Sequence, residues 1–231
     1  MDRLFDVELR TLRKKILHMA AHVEESIALS VRSLKERNEE LAREVLRGED
    51  ITNGYDIAID EIGMRLLALR QPMAADLRFI TSAMKIGSDL ERIGDLAVNI
   101  AERTLELLQH PPLKPLIDIP EMARLAQDMV KDAIQAFVDK NEALARDVCV
   151  RDDAVDQLND QVFRELLTYM MGDRETIPRA MGLLLIGRYL ERIADHATNI
   201  GEDVIYLVKG KIIKHHCDQM KDDKGTRQEE G

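Results

Sequence analysis

The strongest constraint on this chain is that it repeats itself. Residues 86–102 recur 100 positions later as residues 186–202, with eleven of the 17 positions identical. Upstream, Asn38-Glu39-Glu40-Leu41-Ala42-Arg43-Glu44-Val45 matches Asn141-Glu142-Ala143-Leu144-Ala145-Arg146-Asp147-Val148 at an offset of 103, so a small indel lies near residues 51–55. Two regions matching at nearly one lag mean that a whole unit is duplicated, since helix-forming composition alone does not place Asn, Gly and Arg at fixed positions.

Each unit reads as three helices. Leu9, Leu12, Ile16, Met19, Val23, Ile27, Val31 and Leu34 keep a helical period over residues 5–36. Asn38 is an N-cap candidate, with Glu39 and Glu40 favourably placed in the first turn, and a second helix is expected over about residues 50–70. It ends near Gln71-Pro72, because a residue before proline disfavours the α conformation. A third helix spans about 75–108 and stops before His110-Pro111-Pro112. The expected division is a first unit at 1–110, a linker at 111–120, a second unit at 121–209 and a frayed tail at 210–231. Short connections between long amphipathic helices make neighbours antiparallel. The fold class is therefore all-α, two tandem up-and-down three-helix bundles.

Composition narrows the function classes. The formal net charge is −10 over 231 residues, and such a chain repels a phosphate backbone, so no nucleic-acid binding is expected. Two cysteines far apart, Cys149 and Cys217, do not form a disulfide framework and suit a reducing compartment. The charged N-terminus lacks a signal-peptide core, and the longest apolar run, near residues 181–187, falls far short of the roughly 20 residues a membrane span needs. A cytoplasmic protein with no direct membrane insertion is expected.

Candidate chemistry sits on the repeated helices. Glu91, Asp95 and Asn99 are spaced by four and lie within a sector of about 80°, with Glu102 in the same sector. Ile93, Leu96, Ala97 and Ile100 point the other way. The second copy repeats Glu191, Asp195, Asn199 and Glu202. On the second helix of each unit, Asp56 and Asp60 recur as Asp156 and Asp160, at the rim of the stripe formed by Ile59, Ile62 and Leu66. Acidic residues on an exposed helix are usually just solvated. Like charges at i,i+4 cost a few tenths of a kcal/mol, however, and their recurrence on two helices of both units suggests an offsetting multivalent cation. Carboxylate and amide oxygens suit Mg, Ca, Mn, Fe or Zn. His18 and His22 share a helix face without a counterpart in the second unit, His215-His216-Cys217 falls in the tail, and His196 breaks the repeat where the first copy has Leu96. Gly87 and Gly187, inside helices, point to close helix packing.

The segments Leu90-Glu91-Arg92-Ile93-Gly94-Asp95-Leu96-Ala97-Val98-Asn99-Ile100-Ala101-Glu102 and Leu190-Glu191-Arg192-Ile193-Ala194-Asp195-His196-Ala197-Thr198-Asn199-Ile200-Gly201-Glu202 resemble the paired signatures of the PhoU family, as does Arg70-Gln71-Pro72-Met73-Ala74-Ala75-Asp76-Leu77-Arg78. The resemblance covers about residues 3–210. It implies a bacterial regulator of phosphate uptake that keeps the phosphate-starvation response off when phosphate is plentiful. The partners it implies are the ATPase subunit of the high-affinity phosphate transporter, a phosphate-sensing histidine kinase and a second copy of the chain in a homodimer. It also implies multinuclear iron or zinc held by Asp56, Asp60, Glu91, Asp95 and Asn99, then by Asp156, Asp160, Glu191, Asp195 and Asn199. Asp89 in the first unit stands at the position that Tyr189 holds in the second, so the two ligand sets are not expected to be equal. A non-enzymatic signalling adaptor is the leading expectation. Its rivals are a metal-dependent, carboxylate-bridged helical-bundle enzyme, for which the repeated helices lack the Glu-x-x-His motifs, and a purely structural helical scaffold.

Overall fold

The computed structural model describes residues 3–210. Six long helices follow one another: α1 (Arg3–Glu36), α2 (Glu39–Arg70), α3 (Ala74–Leu108), α4 (Asp118–Asp139), α5 (Glu142–Gly172) and α6 (Ile177–Lys209), with a 3₁₀ turn at Arg174–Thr176 leading into α6. Among the described residues there is no strand. The segment His215-His216-Cys217 lies outside them.

The duplication is visible in the turns. Arg37 and Lys140 both adopt left-handed backbone, with φ of 53° and 51°, and reverse the chain between the first two helices of each unit. Asn38 then caps α2 by accepting from the Glu40 and Leu41 amides, and Asn141 caps α5 by accepting from the Leu144 amide. Each satisfies donors that a helix start leaves orphaned.

The second helix begins earlier than the apolar period alone suggests. It runs unbroken from Glu39 through the indel to Arg70, where a start near residue 50 was expected. Three additional residues make nearly one turn, so the helix absorbs them with a phase shift of about 60° rather than a loop. That shift obscures the apolar period. The fourth helix likewise starts at Asp118, inside the stretch read as linker. Pro120 sits in its first turn, where a missing amide hydrogen costs nothing.

Packing joins the two bundles. The first-unit stripe (Leu12, Ile16, Met19, Val23 and Ile27) is fully buried, as are Ile59, Ile93, Ala97 and Ile100, and all belong to one apolar cluster that continues through α4, α5 and α6. Helix α3 lies antiparallel against α6, Arg78 meeting Leu207 and Asp89 meeting His196, and α1 against α4, Arg13 meeting Val138 and Glu24 meeting Gln127. Lys85 of α3 pairs with Asp203 of α6 at 2.8 Å, and Gln127 of α4 donates to the Glu24 carbonyl of α1. Every helix thus turns one face to the shared core and leaves another free. No helix among the described residues is long and apolar enough to cross a membrane.

Candidate metal centre

The acidic residues reach their places through glycine. A Cβ on Gly87 would stand 3.1 Å from Ile59 Cγ2 and 3.6 Å from Asp56 Oδ1. One on Gly187 would stand 2.9 Å from Asn159 Oδ1. Without side chains there, α3 approaches α2 and α6 approaches α5 closely enough for carboxylates on facing helices to interact.

The charges report that approach. The Glu91 carboxyl is pushed above its ordinary value, first by burial and then by Asp95 and Asp56, while Arg92 and His196 pull it down. Asp56 is raised by burial and by Asp60. In the second bundle Asp156 is raised by desolvation, then by Glu191, Asp195, Asp153 and Asp160. Pairwise repulsion thus links Asp56, Asp60, Glu91 and Asp95 in the first bundle and Asp156, Asp160, Glu191 and Asp195 in the second. Asn99 and Asn199 share the α3 and α6 faces but make no hydrogen bond to these carboxylates.

The donor chemistry suits a hard cation, whose charge would relieve the repulsion that raises these carboxyls. The geometry is not a finished cage. Among the described residues, no group of three or more His, Cys, Asp or Glu side chains stands in position to hold a metal ion. His22 is already engaged, with Nε2 2.9 Å from the Gly48 carbonyl, and His18 packs edge-on against Tyr55.

Four neighbours of these groups were not found from the helix spacing. Asn159 Nδ2 donates to Glu191 Oε2 at 3.1 Å, and Arg188 pairs with the same oxygen. Asp153 adds a fifth carboxylate beside Asp156. Across the bundle interface, His196 Nδ1 donates to Asp89 Oδ1 at 2.8 Å, both side chains being mostly buried. The signal for this last pair was present in the repeat: Asp89 replaces the aromatic of Tyr189, and His196 replaces the aliphatic of Leu96. In an antiparallel α3–α6 pair, position 89 meets 196 as position 189 meets 96, so the two departures compensate one another.

The PhoU domain matches residues 16–104 and, a second time, residues 119–204, one match per bundle. The chain belongs to the PhoU family. It is 44% identical to the phosphate-specific transport system accessory protein PhoU homolog of Aquifex aeolicus, over 90% of this chain and 94% of that protein. It is 38% identical to PhoU homolog 2 of Thermotoga maritima, over 95% and 94%. Among solved structures it resembles PhoU from Pseudomonas aeruginosa, with a TM-score of 0.87 and 39% identity over 90% of this chain and 100% of that one. It also resembles the phosphate transport system regulatory protein PhoU from Streptococcus pneumoniae, with a TM-score of 0.83 and 31% identity over 91% and 99%. The repeat and the six-helix architecture thus agree with that family.

Proposed function

We propose that this protein is a non-enzymatic regulator of phosphate uptake. It holds the phosphate-starvation response off by linking the ATPase subunit of the phosphate transporter to a phosphate-sensing histidine kinase in the cytoplasm. The observation that carries this reading is the match of both units, over about nine-tenths of the chain, to relatives named as transport accessory or regulatory proteins. Free helix faces on a rigid shared core suit an adaptor. Two copies of the chain associating as a homodimer would present each face twice.

The acidic groups are the proposed metal sites. Asp56, Asp60, Glu91, Asp95 and Asn99 would hold a cation on the first bundle, and Asp156, Asp160, Glu191, Asp195 and Asn199 on the second. A bound iron, zinc or other hard cation would supply positive charge that draws α2 to α3 and α5 to α6. The side chains would rotate inward to ligate it.

Deletion of the gene tests the regulatory reading. Phosphatase-reporter activity should rise in phosphate-rich medium and return to the repressed level on complementation. A deletion strain whose reporter stays repressed overturns it.

A further inference from the structure

The repeat creates two equivalent contacts between the bundles, one filled by aromatic rings and the other open. At the end of α4, buried Phe137 stacks on Phe79 of α3, with ring centroids 5.5 Å apart and planes 14° from parallel. At the offsets of the duplication, 103 and 100, the corresponding residues are Leu34, at the end of α1, and Arg179, at the start of α6. Neither supplies a ring. In their place is a cavity of about 310 Å³ lined by Leu34, Lys35, Arg37, Leu107, Arg179 and Leu183, together with residues 111–116 of the connection between the bundles. Its volume lies at the small end of the roughly 300–1,000 Å³ typical of organic-ligand sites.

The charge around this cavity runs against that of the chain. The protein carries −10 overall, yet the lining contains Lys35, Arg37, Lys114 and Arg179 and no Asp or Glu. Lys114 is spent on an ion pair with Glu165. The other three have no carboxylate partner among the described residues. Backbone carbonyls fix two of them: Arg37 donates to the carbonyls of Leu108 and His110, the latter at 2.6 Å, and Arg179 donates to that of Pro111 at 3.2 Å. A guanidinium has five N–H donors, so each arginine keeps several for a ligand. The left-handed backbone of Arg37 turns the chain at this point.

We infer that this cleft between the bundles binds a small amphipathic anion, a carboxylate or phosphate ester with an apolar, ring-sized body. The body takes the space that the Phe79–Phe137 pair occupies at the equivalent contact between the units, against Leu34, Leu107, Leu183 and the linker prolines. The anionic group meets Lys35 and Arg179 at the rim. Apolar burial supplies affinity and the cations supply selectivity for charge.

The test uses 1-naphthyl phosphate as the probe, with neutral 1-naphthol and inorganic phosphate as controls, titrated calorimetrically into the full-length protein. Saturable binding of one probe per chain is expected, with each control at least about tenfold weaker, a difference of about 1.4 kcal/mol. The K35Q/R179Q variant should reduce probe affinity to that of naphthol. The L34F/R179F variant, which installs the aromatic pair of the equivalent contact, should abolish binding while circular dichroism stays unchanged. If that variant fails to fold, K35Q/R179Q alone decides. Naphthol binding as tightly as its phosphate overturns the inference, as does wild-type affinity in either variant or no saturable binding at all.

Discussion

The two acidic groups share a spacing and differ in their surroundings. Glu191 accepts a hydrogen bond from Asn159 and pairs with Arg188, so its charge is partly answered inside its own bundle. At the position matching Asn159 the first bundle has Ile59, which is fully buried. Glu91 instead feels Asp95 and Asp56, offset by Arg92 and by His196 reaching over from the other bundle. Duplicated backbone therefore supports two electrostatic environments: one balanced locally, the other drawing part of its balance from the neighbouring unit. Occupancy of a duplicated site need not be equal in the two copies, because single substitutions such as Ile59 against Asn159 change what each carboxylate touches.

The largest expected effect comes from breaking the contact that crosses between bundles. His196→Leu gives the second unit the first unit's residue and strands Asp89, whose side chain is only 16% exposed. A mostly buried carboxylate without its donor costs on the order of 2 kcal/mol. For a chain of this size that lowers the melting temperature by about 4–8 °C. The compensating variant D89Y/H196L copies the Tyr189 and Leu96 pair and should recover most of the loss in a thermal melt. Additive losses in the double variant would show that the two departures from the repeat are independent.

Small residues give the next effect. Ala101 and Gly201 are equivalent, as are Gly94 and Ala194. A Cβ on Gly201 would lie 3.0 Å from the Ala145 carbonyl oxygen and 3.3 Å from Cys149 Sγ, so α5 itself has to move. A Cβ on Gly94 would meet Thr52 Cγ2 at 2.9 Å, a side-chain methyl in the part of α2 that carries the three added residues. Gly201→Ala should therefore cost about 1–2 kcal/mol in urea unfolding and Gly94→Ala less. Equal costs would mean that both helix pairs yield alike.

These contrasts mark how far the sequence could be read. Helix count, the Asn38 cap and the buried faces of α1 and α3 followed from periodicity and duplication, because a helix fixes the direction of each side chain relative to its neighbours. The start of α2 did not. Its additional turn shifts the apolar phase, and local pattern loses the helix where the structure continues it. Asp89 with His196, and Asn159 with Glu191, were not legible from spacing on a single helix. Such contacts depend on which helices meet and in what register, and that is decided by packing across α3 and α6 and by the close approach at Gly187. The repeat held the missing information only in its mismatches.

The smallest expected effect separates the two acidic groups by pH. Asp56, Glu91 and Asp156 have folded-state values raised from their ordinary ones, chiefly by burial and then by neighbouring carboxylates. In the window from roughly pH 4 up to those raised values, the metal-free native state binds more protons than the unfolded chain, so stability falls as pH rises. Glu142 acts oppositely and lower. Its carboxyl is held down by hydrogen bonds from Lys209 and Arg146, so its contribution is present above the ordinary value and lost as pH falls through the lowered one. Within that window the metal-free protein should thus gain stability on acidification, by less than about 1 kcal/mol because these carboxylates are partly solvated. D56N/E91Q removes two raised groups and should flatten the slope more than D156N, which removes one. A ligating cation reverses the sign, since it requires ionised carboxylates and its affinity drops with acid. Metal analysis of tag-free protein should then show D56N/E91Q losing the metal of the first bundle while that of the second remains. Unchanged metal content together with an unchanged pH slope in D56N/E91Q would remove both the repulsion and the cation from the first bundle, and leave these carboxylates as a solvated face.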